Sequence, residues 1–107
     1  MLMSQASSDA LSLCRHNRYD DLVKLLDNSH SASAPRSDWA GVADEHGNTL
    51  LLVAAQNGLK RICKLLLRRG VADVREINKK GKGVLHFCKL YGHDELGQYL
   101  REKGAVC

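Results

Sequence analysis

One proline in 107 residues, five aromatic side chains and no long apolar run set the first limits on this chain. Without about 20 consecutive apolar residues there is no candidate membrane-spanning helix. The opening Met1-Leu2-Met3-Ser4-Gln5 turns polar at once and lacks the basic and apolar segments of a secretory signal, so a soluble, cytosolic chain is expected. Few aromatics leave few platforms for stacking bases, which argues against a nucleic-acid partner. The four cysteines, Cys14, Cys63, Cys88 and Cys107, are too widely spaced for a paired metal or redox motif and are read as reduced, small apolar side chains. No nucleophile stands in sequence with a base and its orienting group, and no Gly-rich phosphate loop joins a strand to a helix. No catalytic residue, cofactor or metal is therefore expected, and the chain is not read as an enzyme.

What is present is one small domain's worth of ordinary globular sequence, 44% hydrophobic and 26% charged. The net charge of +4 is unevenly placed. Residues 1–43 carry Arg15, Arg18, Lys24 and Arg36 against five acidic side chains, and residues 44–107 carry twelve basic against seven acidic. A C-terminal half at +5 beside an N-terminal half at −1 favours an acidic partner for the former.

The chain also repeats itself. Gly47, Gly58 and Gly70 are spaced by 11 and 12 residues, and Gly81, Gly92 and Gly104 have the same spacings. A shift of 34 superimposes Leu51 on Leu85 and Leu66 on Leu100. In each copy the first glycine closes a tight turn and a short helix follows, N-capped by Thr49 in the first copy. Gly58 or Gly92 ends that helix in a left-handed cap. A second helix carries an i, i+3, i+4 stripe, Ile62-Leu65-Leu66 or Leu96-Tyr99-Leu100. Small inward residues (Ala54, Ala55, Cys88) allow close approach, and a stripe that one pair cannot bury alone requires the pairs to stack. A degenerate third copy is read upstream in Ala10-Leu-Ser-Leu-Cys14 and Leu22-Val-Lys-Leu-Leu26, with Ser8 as N-cap, Arg18 in place of the middle glycine and His30 in place of the last.

At these residues the sequence resembles the ankyrin repeat. Thr49-Leu50-Leu51-Leu52 and Gly83-Val84-Leu85-His86 stand for its T-P-L-H, Ala54-Ala55-Gln56-Asn57-Gly58 for its A-A-x-x-G, and Leu65-Leu66-Leu67-Arg68-Arg69-Gly70 for its L-L-L-x-x-G. The resemblance implies an all-α solenoid of three stacked helix-turn-helix units with short β-turn fingers and a non-catalytic role in protein binding. The implied organisation is a flexible tail at 1–7, a degenerate capping repeat at 8–30, an inserted loop at 31–43, and full repeats at 44–77 and 78–107. The motif proline is missing from every copy and its histidine survives only as His86, so three repeats are expected to form a marginal domain, firmer in a complex. Within Gly81 to Ala105, the wording Leu85-His86-Phe87-Cys88 and Glu95-Leu96-Gly97-Gln98-Tyr99-Leu100 is similar to final repeats of ankyrin proteins of flagellated protists, some of them cytoskeletal or axonemal. That implies a small adaptor or a stoichiometric subunit, flagellar or cytoskeletal, facing an acidic, tubulin-type surface. An ankyrin-type regulator of a signalling or transcription protein is the rival reading, and a basic-surface binder of nucleic acid or anionic membrane is another.

Candidate contacts follow from position. Lys79, Lys80 and Lys82 crowd the tip of the last finger as an acidic-partner patch. Gln56, Asn57, Leu90 and Tyr91 end the first helices of their units and are expected on the concave face. Trp39, in a loop the repeats do not need, either folds back on the core or anchors a partner. Lys60, Lys64 and Arg68 are read as a solvated helix face in preference to a phosphate or RNA site. His86, Cys88 and His93 are given structural roles in preference to zinc ligation.

Overall fold

The computed structural model describes residues 5–28, 42–70 and 72–105, with side chains from Asp9 to Leu26 in the first stretch. Among the described residues six helices pair in chain order: α1 (Gln5–Arg15) with α2 (Tyr19–Asn28), α3 (Leu50–Gln56) with α4 (Lys60–Arg68), and α5 (Val84–Leu90) with α6 (Asp94–Glu102). The first helix of each pair packs on that of the next, α1 on α3 and α3 on α5, which gives the stack of three helix pairs implied by the repeat. Among the described residues no strand forms. Two isolated antiparallel bridges, Ala43 with Thr49 and Ile77 with Gly83, close the fingers that precede α3 and α5.

The composition of α3 explains its place. Leu50 to Ala55 are all buried, so a helix with no polar face has neighbours on every side. The paired helix α4 is amphipathic and buries only Ile62, Cys63, Leu65 and Leu66. Along the inner row Ala10, Cys14, Ala54, Ala55 and Cys88 are buried small residues that let α1, α3 and α5 approach closely. Burial pushes the Cys14 thiol up to about 12 and that of Cys88 to about 11, and raises Cys63 as well, so these thiols stay protonated and pack as apolar groups.

Thr49 caps α3 as expected, its Oγ1 accepting from the Leu52 N–H at 3.3 Å. Gly58 and Gly92 are left-handed at φ 68° and 74°, and the amide after each donates back to the inner helix, Leu59 to the Ala54 carbonyl at 3.0 Å and His93 to that of Cys88 at 2.7 Å.

The first pair departs from the sequence reading in three ways. Helix α1 begins at Gln5, so Ser8 lies inside it, not at its cap, and residues 5–7 are helical. The left-handed residue between α1 and α2 is Asn17 at φ 57°, not Arg18; asparagine is the side chain that best tolerates that region after glycine, and the Arg18 amide then donates to the Leu13 carbonyl as Leu59 does to Ala54. Matching leucines between copies shifts this turn by one residue. Finally, Val42 is buried and Ala43 already pairs with Thr49, so the finger starts inside the segment read as loop. Trp39, His30 and the loop through residue 41 lie outside the described residues.

Candidate functional site

The fingers are built by one side-chain device used twice. Asp44 Oδ1 accepts the backbone N–H groups of His46 and Asn48, both at 2.9 Å, while Asn78 Oδ1 accepts those of Lys80 and Lys82 at 2.9 and 3.0 Å. Burial alone would raise the Asp44 carboxyl, but these donors and the Asn48 carboxamide outweigh it and hold the group below the usual aspartate value. Asn48 links the two turns. Its Nδ2 donates to Asp44 Oδ2 at 3.2 Å and its Oδ1 accepts from Asn78 Nδ2 at 3.0 Å. At 8% exposure it is the single buried polar side chain among the described residues, and its bonds satisfy it. A second link runs from Thr49 Oγ1, which donates to Glu76 Oε1 at 2.6 Å; Glu76 Oε2 in turn accepts from the Asp73 N–H.

This geometry divides the predicted lysine patch. Lys79 is a strut between fingers: its amide donates to the His46 carbonyl at 3.1 Å and its Nζ to the Glu45 carbonyl at 2.9 Å. Its backbone passes so close that a Cβ at Gly47 would stand 2.8 Å from the Lys79 nitrogen. Lys80 and Lys82 are exposed, and among the described residues no carboxylate lies within ion-pair distance of either.

The other predicted contacts sit at the far ends of α3 and α5, separated from the fingers by seven residues of helix, about 10 Å of rise. The structure therefore gives two clusters, not one. Asn57 is occupied in capping, its Nδ2 donating to the Val53 carbonyl at 2.8 Å, and the Gln56 carbonyl accepts from His93 Nε2 at 3.1 Å. Leu90 and Tyr91 are 58% and 55% exposed, with Tyr91 stacked 6.5 Å from the Phe87 ring. Ile77, equally open at 58%, was not singled out from the sequence; it is itself the partner of Gly83 in the finger bridge, with its side chain exposed.

His93 proves to be a joint between repeats. Its ring lies over Gly58, where a Cβ would come within 2.7 Å of Nδ1. His86 packs edge-on against Phe87, with ring centres 5.1 Å apart. Among the described residues no three His, Cys, Asp or Glu side chains are grouped to hold a metal. Ser12 and His16 are neighbours one turn apart, but His16 Nδ1 lies 2.9 Å from the Ser12 carbonyl and must carry the proton for that bond. It cannot then accept from the Ser12 hydroxyl at 3.4 Å, so the pair is not an activated nucleophile.

The outer helices hold a feature the sequence reading treated as solvated. Lys60 and Lys64 of α4 and Lys103 beyond α6 place their ammonium groups 5.5, 5.3 and 5.5 Å from the centre of the Tyr99 ring, and the Arg61 guanidinium lies 4.2 Å from that of Tyr19 on α2. Lys60 also approaches Glu95 at 3.6 Å.

The family profile described as "Ankyrin repeats (3 copies)" matches residues 9–107. The chain belongs to the ankyrin-repeat family. It is also 39% identical over 59 residues to the mouse protein named "Protein fem-1 homolog A-like", a match that covers 55% of this chain and 9% of that relative. The aligned segment thus spans only a small part of that relative's length. Ankyrin repeats are protein-interaction modules, and the helix stack described above is the non-catalytic framework of that family. No helix among the described residues is long and apolar enough to cross a membrane.

Proposed function

We propose that this ankyrin chain is an adaptor or stoichiometric subunit that docks an acidic protein surface on its last finger, with Leu90 and Tyr91 as a second, apolar contact. The observation that carries the reading is the fixed presentation of Lys80 and Lys82: both amides are held by one Asn78 oxygen while both side chains are exposed. A cationic pair on a pre-ordered turn loses little backbone freedom on association, and it steers an acidic partner from a distance. A cytoskeletal surface of the tubulin type, rich in carboxylates, is the partner chemistry that suits it, and the cytosol or a flagellar axoneme is the setting.

Co-sedimentation of the chain with purified microtubules across a salt series tests this. The wild type is expected to bind with a steep salt dependence, and Lys80→Ala with Lys82→Ala to flatten it. Absence of binding, or identical salt slopes for the two proteins, overturns the proposal.

A further inference from the structure

We propose that Lys64 and Lys103, gathered with Lys60 around Tyr99, form a binding site for a phosphorylated side chain of a protein partner. The site lies on the outer helices, away from the fingers. It rests on the protein-binding reading above only in that a protein is taken to carry the phosphate.

The three ammonium groups share one ring, so no two of them lie farther apart than twice their distance from its centre. Lys60 and Lys64 are one turn apart on α4, and Lys103 follows Tyr99 by four residues. An anion placed among them is attracted by all three at once. Glu95 meets Lys60 alone and is 87% exposed, while among the described residues no carboxylate lies within ion-pair distance of Lys64 or Lys103. The Tyr99 ring holds the flexible stems in place, which lowers the ordering cost of binding.

The chemistry of the donors selects the ligand. Lysine ammonium groups act as point charges, and three of them about one ring match the near-double charge and three oxygens of a phosphate better than the single charge of one carboxylate. A ring already engaged by ammonium groups is not a platform for a base, which weighs against nucleic acid. An extended anionic membrane would meet the exposed carboxylates Asp94, Glu95 and Glu102 of α6, whereas a single phosphate needs contact with the lysines alone.

Amide and side-chain NMR of the full chain, titrated with N-acetyl-O-phosphoserine methylamide and with the unphosphorylated compound, tests the site. Saturable shifts at Lys64, Tyr99 and Lys103 are expected from the phosphorylated compound alone. Lys64→Gln with Lys103→Gln should weaken them about tenfold, and Lys80→Gln with Lys82→Gln should leave them unchanged. If the outer pair of substitutions disturbs folding, Tyr99→Leu replaces it, with several-fold weakening expected from the scattered lysines. Unsaturable shifts, shifts spread equally over Lys80 and Lys82, or affinity indifferent to the outer substitutions overturn the proposal. So does binding to phosphatidylcholine vesicles containing phosphatidylinositol 4-phosphate through the same lysines while the phosphoserine compound is silent. Absence of microtubule binding by the wild type with phosphoserine binding intact would fell the finger reading alone.

Discussion

The inner and outer rows of this stack are held by different physics. Along the inner row α1, α3 and α5 meet through alanines, cysteines and fully buried leucines, and among the described residues these helices bury no polar side chain. Along the outer row α2, α4 and α6 are spanned by long side chains, Arg61 reaching Tyr19 and Lys60 and Lys64 reaching Tyr99. Dry packing of small residues fixes spacing and carries the stability. Charged side chains over half-buried rings add little energy each but leave a chemically marked surface. The same fold thus separates what holds it together from what it shows to solvent.

The sharpest way to break this contrast is Leu51→Ala, at a side chain wholly buried in the inner row. Urea unfolding should show a loss of about 3 kcal/mol, a large share of the stability of a domain this small. Gly58→Ala strikes where the two rows join, combining a left-handed φ of 68° with a clash against the His93 ring. About 2 kcal/mol is expected, of which His93→Ala in the same chain should restore the steric part and leave the backbone part of about 1 kcal/mol. Thr49→Ala removes the α3 cap and the bond to Glu76 in the next finger, and thermal unfolding should report a loss of about 1 kcal/mol. Tyr99→Leu, in the outer row, should cost below about 1 kcal/mol in the same measurement. Were it to equal Leu51→Ala, the two rows would not differ in kind.

The inner row was the legible part of the sequence. Glycines at repeated spacings, a threonine before an apolar run and alanines at successive inward positions each report a local backbone requirement, and the helices from Leu50 onward fall where those signals put them. Exposure of Leu90 and Tyr91 followed from the same register. The turn at Asn17 was misplaced because leucine matching measures side-chain spacing and not the conformation of the residue between. The roles of Lys79, Lys60 and Lys64 were hidden for another reason. They depend on residues 34 to 39 positions away in the chain, Glu45 in one case and Tyr99 in the other, and spacing within a single helix says nothing about what a long side chain meets on its neighbour.

The relay from Asp44 through Asn48 to Asn78 carries a consequence for engineering. Asn78 is both the donor at the far end of that relay and the organiser of its own finger, the position Asp44 holds one repeat earlier. A joint whose output has the same form as its input can be copied without redesign. Spliced arrays that keep this carboxamide would inherit their alignment from one finger to the next.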